Sequence, residues 1–115
     1  MNKTYPLIFG IGNPLVDVVI KASESDLIDL GLNKGTMELV NEDRQKEIIS
    51  FFKEGDPLYF PGGSAPNTML ACAGLGIDSH IAGRIGSDKL GDIYVNRVSE
   101  YGADSGLVRS EGRTA

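Results

Sequence analysis

The chain has 115 residues, of which 41% are hydrophobic, and its sixteen acidic and eleven basic side chains give a formal net charge of −5. An acidic chain without a basic patch is poorly matched to phosphate backbones, so we expect no nucleic-acid partner. No apolar run approaches the ~20 residues that span a bilayer, and the N-terminus lacks the pattern of a signal peptide. We therefore expect no membrane partner and a cytoplasmic location.

The length, the cysteine content and the histidine content set further limits. A chain of this size can form one compact domain, but an α/β enzyme with two substrates needs a larger sheet, so we expect a segment of a longer protein. The single Cys72 cannot form an internal disulfide, and its small apolar neighbours predict a thiol packed against a sheet rather than a nucleophile. The only histidine, His80, opens a predicted strand without metal-ligand spacing around it, and we interpret it as structural.

The first predicted strand runs from Tyr5 to Ile11. Its almost continuous apolar run is typical of a strand buried on both faces of a parallel sheet. The polar Asn13 and Asp17 follow its carboxyl end, which is where open α/β sheets bind ligands. Apolar and polar residues then alternate from residue 16 to residue 22, which predicts a half-exposed strand.

Two short helices and a second alternating strand are predicted next. The stretch from Ser25 to Gly31 has the pattern of a capped helix that ends at a glycine. Thr36 to Val40 alternates and is predicted to pair with residues 16–22 as a small β flap. Asn41 is predicted to cap the following helix, because two acidic residues come directly after it and complement the helix dipole.

The stretch from Tyr59 to Asn67 leads from a predicted strand through paired glycines into a helix. Gly62 and Gly63 have no side chains and permit unusual backbone angles, so a ligand can approach the backbone there. Ser64 is the predicted cap of the helix. The amide of Asn67 in the first helical turn both donates and accepts hydrogen bonds, which suits a ligand rich in hydroxyl groups.

The rest of the chain continues the alternation of strand and helix. A strand is predicted from Ser79 to Ile85, followed by an amphipathic helix that Ser87 caps and Gly102 ends. Gly106 to Arg109 begins another strand. Strands that alternate with helices in this way predict a mainly parallel sheet flanked by helices.

Three glycine-containing motifs resemble those of a known family. They are Gly-Ile-Gly-Asn-Pro-Leu-Val-Asp at residues 10–17, Gly-Gly-Ser-Ala-Pro-Asn at 62–67 and Gly-Arg-Ile-Gly-Ser-Asp-Lys-Leu-Gly at 83–91. In this order and spacing, nearly the whole chain resembles the N-terminal part of the ribokinase-like (PfkB) sugar and nucleoside kinases, and the Asn-Pro pair is most similar to the adenosine kinase branch. The resemblance implies a ribokinase-like α/β fold with a flap, and an ATP-dependent kinase that phosphorylates a primary hydroxyl of a sugar or nucleoside.

The same resemblance implies which residues bind the substrate. In the family, the positions of Asn13, Asp17 and Asn67 and the backbone of Gly62 and Gly63 hold the sugar. A carboxylate is a pure acceptor that can bind two adjacent hydroxyls, and the two amides both donate and accept, so this set matches the vicinal hydroxyls of a furanose ring. The competing interpretation makes the carboxylate an exposed strand residue and the first amide an ordinary turn residue.

ATP and Mg²⁺ are implied as cofactors of the complete protein. Phosphoryl transfer also needs a base near the attacking hydroxyl, and the family supplies it from a downstream Asp-Thr-x-Gly-Ala-Gly-Asp sequence that these residues do not contain. We therefore assign no catalytic residue and no metal ligand to this segment, and expect it to be inactive alone. Asp88 and Asp92 are interpreted as solvated acids on a helix.

Two other functional classes remain as alternatives. A dinucleotide-binding domain would use Gly10 and Gly12, but the third glycine of its fingerprint falls at Leu15. A non-catalytic α/β binding or dimerisation module would use the flap strands to pair with another chain. Because exposed strand edges recruit other strands, we also expect self-association through the flap or a sheet edge, in addition to a small-molecule partner.

Overall fold

The computed structural model describes residues 8–115, which form five strands and four helices. In chain order these elements are β1 (Ile8–Ile11), β2 (Leu15–Val19), α1 (Glu24–Asp29), α2 (Glu42–Phe51), β3 (Leu58–Gly62), α3 (Ser64–Gly74), β4 (Ser79–Gly86), α4 (Lys89–Glu100) and β5 (Asp104–Ser110). The first predicted strand is confirmed from Ile8 onward, and its beginning, Tyr5 to Leu7, lies outside the described residues.

Three of the strands form a parallel sheet in the order β1-β4-β5. Ile8 is aligned with Ser79 in the first pair of strands, and His80 is aligned with Asp104 in the second. Parallel neighbours need a crossover, and α4 provides the one between β4 and β5. The predicted α/β architecture with a mainly parallel sheet is therefore confirmed.

The hydrophobic core lies between this sheet and the two helices α3 and α4. The buried side chains come from both helices, from β4 and from the residue before β5: Met69, Leu70, Ile81, Ile85, Tyr94, Val98 and Ala103. Successive side chains of a strand point to opposite faces. Ile81 and Ile85 therefore face the helices, whereas His80, Ala82 and Arg84 belong to the other face. Cys72 of α3 is only partly buried.

The second sheet has two strands, and its pairing differs from the prediction. β2 pairs with β3 and not with residues 36–40, which form no strand. Met37 and Leu39 are 99% and 103% exposed. An alternating pattern becomes a strand only when a neighbour satisfies its backbone donors and acceptors, and β3 is that neighbour for β2. The prediction of a flap strand at residues 36–40 is therefore wrong. The flap strand predicted at residues 16–22 is formed over residues 16–19, which belong to β2.

The segment from Val18 to Leu58 forms a compact unit of its own, distinct from the unit that contains the parallel sheet. Its two helices have side-chain caps. Ser23 caps α1 through a reciprocal capping box with Asp26, and Asn41 caps α2 as predicted, accepting from the Arg44 N–H at 2.9 Å. Across the described residues, no helix combines the length and the apolar character needed to cross a bilayer.

Two predicted helix caps are displaced by one residue. α3 starts at Ser64 itself, and its cap position belongs to Gly63, whose φ of +102° is accessible mainly to glycine. α4 is capped by Asp88, which accepts from the Gly91 N–H at 2.9 Å. The predicted cap Ser87 instead continues the strand contact, because its N–H donates to the Ser110 carbonyl at 3.1 Å.

Candidate ligand-binding site

The turn after β1 is held tightly against β4 and the start of α3. The Gly12 N–H donates to the Ala82 carbonyl at 3.1 Å. A Cβ on Gly12 would lie 2.7 Å from the Ala65 Cβ, and a Cβ on Gly83 would lie 2.7 Å from the Gly12 carbonyl oxygen. Both distances are shorter than real Cβ atoms allow, so the glycines of the first and third motifs permit this close approach. Pro14 is fully buried in the same place.

The same turn meets the glycine pair. A Cβ on Gly63 would overlap the Asn13 carbonyl oxygen and would also lie 3.2 Å from the Cδ of Pro66. The positive φ and the absence of a side chain are therefore both required at Gly63. Pro66 is the third residue of α3, where no intrahelical N–H is needed. The first two motifs thus form one structure at the N-terminus of α3.

The carboxylate of Asp17 lies directly beside Gly62. A Cβ on Gly62 would lie 2.5 Å from the Asp17 Oδ2 and 3.0 Å from its Cγ. Asp17 is exposed, while Gly62 is buried. The pairing of β2 with β3 therefore places a solvent-accessible negative charge at the end of β3, next to backbone that has no side chain to cover it.

The buried Tyr94 forms a hydrogen bond with Gly62, and it was not predicted as part of the site. Its hydroxyl donates to the Gly62 carbonyl at 3.1 Å, and the side chain is fully buried. Burial raises the pKa of Tyr94 to about 12, and the negative charge of Asp17 acts in the same direction. The signal in the sequence was a tyrosine among aliphatic positions of an amphipathic helix, since a buried hydroxyl needs a hydrogen-bond partner.

Four of the five predicted site residues lie together, and the fifth, Asn67, lies in the first turn of α3. Asn13, Asp17, Gly62 and Gly63 come together around the end of β3 and the start of α3. The Asn67 N–H donates to the Gly63 carbonyl at 2.9 Å, in the first turn of the helix. The exposed Asn67 also borders a cavity of about 460 Å³, whose other lining residues are Phe60, Pro61, Leu70, Ala71, Gly74 and Tyr101.

The two acids of the third motif have defined partners. Asp88 accepts from the Gly91 N–H at 2.9 Å, from the Thr114 N–H at 2.9 Å and from the Thr114 hydroxyl at 2.6 Å. Burial opposes the ionisation of Asp88, but these hydrogen bonds outweigh it and lower its pKa. The interpretation of Asp88 as a solvated acid is therefore wrong. Asp92 is exposed and pairs with Arg109 at 2.7 Å.

The dinucleotide-binding alternative does not fit the first motif. In a dinucleotide fold, the glycine-rich turn leads from the first strand into a helix whose N-terminus binds the pyrophosphate. Here β1 is followed by β2, so the turn at residues 12–14 connects two strands and leads into no helix. The missing third glycine at Leu15 and the missing helix both exclude this fingerprint.

Comparisons with known proteins agree with the fold. No protein-family model matches the chain. A Pyrococcus horikoshii protein named as a sugar kinase is 26% identical over 112 residues, which are 96% of this chain and 28% of that protein. A probable sugar kinase from Rhizobium etli has a TM-score of 0.73 and 28% identity, and the match covers 93% of this chain and 32% of that one.

Adenosine kinases are also similar in structure. The enzyme from Sinorhizobium meliloti has a TM-score of 0.69 and 29% identity, with 91% of this chain and 32% of that chain covered. The enzyme from Schistosoma mansoni in complex with adenosine has a TM-score of 0.76 at 23% identity, with 98% and 34% covered. This chain therefore spans about a third of these proteins, and it has the fold of the N-terminal part of ribokinase-like kinases.

Proposed function

We propose that this chain is the substrate-binding part of an ATP-dependent kinase that phosphorylates a hydroxyl group of a sugar or nucleoside. The observation that carries the proposal is the exposed Asp17 carboxylate beside Gly62, next to the glycine that begins α3. The names of the similar proteins, which are sugar kinases and adenosine kinases, support the same class of substrate.

The chemistry of the cluster suits a neutral polyol. Asp17 can accept hydrogen bonds from two vicinal hydroxyls, and bonds to an ionised acceptor are stronger than neutral ones. The backbone of Gly62 and Gly63 lets a ring approach closely, because no side chain lies between them. Asn13 and Asn67 offer amides that donate and accept. An anionic ligand would be repelled by the carboxylate, so the unphosphorylated substrate is favoured.

ATP with Mg²⁺ would supply the transferred phosphoryl group in the complete protein. The acidic residues of the third motif and the helix after it do not fit a role in binding ATP with Mg²⁺. Both oxygens of Asp88 already accept hydrogen bonds from Gly91 and Thr114, and Asp92 pairs with Arg109. We therefore assign this chain the task of orienting the acceptor, and we assign the base and the nucleotide site to residues beyond it.

The test is the affinity of the chain and of its Asp17→Asn variant for ribose, fructose and adenosine, measured by calorimetry. Losing hydrogen bonds to a charged acceptor costs on the order of 2–3 kcal/mol. We therefore expect Asp17→Asn to weaken binding of the preferred ligand about 30- to 150-fold. An adenosine analogue that lacks both ring hydroxyls should bind the unmodified chain equally poorly.

Asp43→Asn is the matched control, because it removes the same charge from an exposed residue in the first turn of α2. This variant should bind as the unmodified chain does. If Asp17→Asn retained full affinity, or if the hydroxyl-free analogue bound as tightly as adenosine, Asp17 would have no role in hydroxyl recognition.

A further inference from the structure

Three potential metal ligands meet at the edge of the parallel sheet where β4 and β5 begin. They are Asp78, His80 and Asp104, and one ligand atom of each lies within 4.8 Å of the other two. The Nε2 of His80 is 3.1 Å from the Asp104 Oδ2 and 3.7 Å from the Asp78 Oδ1. We propose that these residues form a binding site for a divalent transition-metal ion, with Zn²⁺ as the best match.

The sheet itself brings these side chains together. Asp78 directly precedes β4, and its Oδ1 lies 3.7 Å from the Nε2 of His80, the second residue of that strand. His80 and Asp104 are aligned partners across the β4–β5 pair. No sequence spacing indicated a metal site, because His80 and Asp104 are 24 positions apart and only the strand register makes them neighbours. The interpretation of His80 as a purely structural residue rested on that sequence spacing.

The distances are close to those that a metal would impose. Zn²⁺ binds imidazole nitrogen at about 2.0–2.1 Å and carboxylate oxygen at about 2.0–2.2 Å, so neighbouring ligands of a tetrahedral site are about 3.4 Å apart. The two measured separations from the His80 Nε2 lie on either side of that value. Three protein ligands would leave one position for water. The two carboxylates would also balance the charge of the ion.

The surroundings favour an accessible site with an oriented imidazole. The ring of Phe9 stacks on His80 with 6.4 Å between centroids and 27° between planes. Phe9 and His80 are aligned partners across the β1–β4 pair, so the stacking follows from the register as well. The side chains of Asp78 and Asp104 are 51% and 73% exposed, which leaves a path for the ion to enter.

This proposal is independent of the proposed kinase function. The cluster lies where β4 and β5 begin, whereas the glycine pair at the end of β3 contacts the turn that follows the carboxyl end of β1, at the other end of the sheet. Loss of the metal site would leave Asp17 and Gly62 in place, and the two experiments use different ligands. The competing account is an ion pair between His80 and Asp104 that binds no metal.

The experiment is a titration of the chain with Zn²⁺, followed by long-range ¹H–¹⁵N NMR of the imidazole. Because His80 is the only histidine, its two ring nitrogens give unambiguous signals. We expect saturable binding of one ion, with a large shift of Nε2 and a smaller one of Nδ1. A Cys72→Ser background removes the one thiol that could bind the ion instead.

Variants then separate coordination from an ion pair. His80→Asn and Asp104→Asn should each weaken Zn²⁺ binding at least about tenfold, whereas Asp92→Asn, which removes a carboxylate paired with Arg109, should leave it unchanged. Circular dichroism would show whether each variant is folded, and Asp78→Asn offers a further variant if one is not. Absence of saturable binding, or binding that survives both His80→Asn and Asp104→Asn, would overturn the proposal.

Discussion

Gly62 is the residue at which the missing side chain matters most. Its φ is not positive, so alanine is sterically allowed by the backbone. The added Cβ, however, would lie 2.5 Å from the Asp17 Oδ2. We predict that Gly62→Ala leaves the chain folded, displaces the carboxylate and weakens ligand binding at least tenfold. Calorimetry with the ligand preferred by the unmodified chain would measure the effect.

Gly74→Ala is the control for this variant. An added Cβ at Gly74 meets nothing within 4 Å, and alanine favours a helix by up to about 1 kcal/mol over glycine. This variant should keep its affinity and be at least as stable as the unmodified chain. Equal affinity of Gly62→Ala and the unmodified chain would mean that the position of Asp17 beside Gly62 is unimportant for binding.

Contacts between residues of short motifs could be predicted from the sequence, whereas contacts between residues far apart along the chain could not. The structure brings together Asn13, Asp17, Gly62 and Gly63, which short motifs carry, while their role in binding stays a prediction. The bond of Tyr94 to the Gly62 carbonyl could not be predicted, since it joins residues 32 positions apart that no motif connects. The hydrogen bond that Asp88 accepts from Thr114 could not be predicted for the same reason, because the two residues are 26 positions apart.

At the scale of elements, Asp88 links α4 to the C-terminal segment. It caps the helix and accepts two hydrogen bonds from Thr114, whose hydroxyl also accepts from the Gly86 N–H at 3.0 Å. Removing an N-cap costs about 0.5–2 kcal/mol. We predict that Asp88→Ala lowers the free energy of unfolding by about 1–2 kcal/mol at pH 7, because the Thr114 bonds are lost as well.

The pH dependence of that loss has a definite sign. The folded-state pKa of Asp88 lies below its ordinary value of 3.8, so its contribution is fully present above that pH and disappears as the pH falls through the lower folded-state pKa. Urea unfolding between pH 7 and pH 2 should therefore show the difference between the two proteins shrinking below about pH 3.8. A difference that stayed constant over this range would contradict the role of the ionised carboxylate.

Periodicity predicted most elements but not every pairing. The strands and helices of the parallel sheet follow from apolar runs and amphipathic spacing, which report burial directly. Residues 36–40 alternate in the same way as a strand, yet they remain exposed because β2 already pairs with β3. A pattern in one segment does not specify its partner, and this choice depends on the whole fold.

For the whole molecule, one face of the parallel sheet carries exposed apolar side chains. Phe9, Ile11 and Val108 are 59%, 76% and 60% exposed, and their aligned partners on β4 are His80, Ala82 and Arg84. These residues lie opposite the face that α3 and α4 cover. The self-association expected from the sequence stays a prediction. Contact between two copies at this face would remove apolar surface from water, which would favour association.

Binding of a sugar or nucleoside at the glycine pair beside Asp17 can be tested without reference to any catalytic activity. The most direct measurement is amide chemical-shift mapping of the ¹⁵N-labelled chain during titration with adenosine or ribose. We expect the largest shifts at Asn13, Asp17, Gly62, Gly63 and Asn67, and we expect Asp17→Asn to abolish them. Saturable shifts confined to another part of the chain, such as α1 and α2, or shifts that persist unchanged in Asp17→Asn, would contradict it.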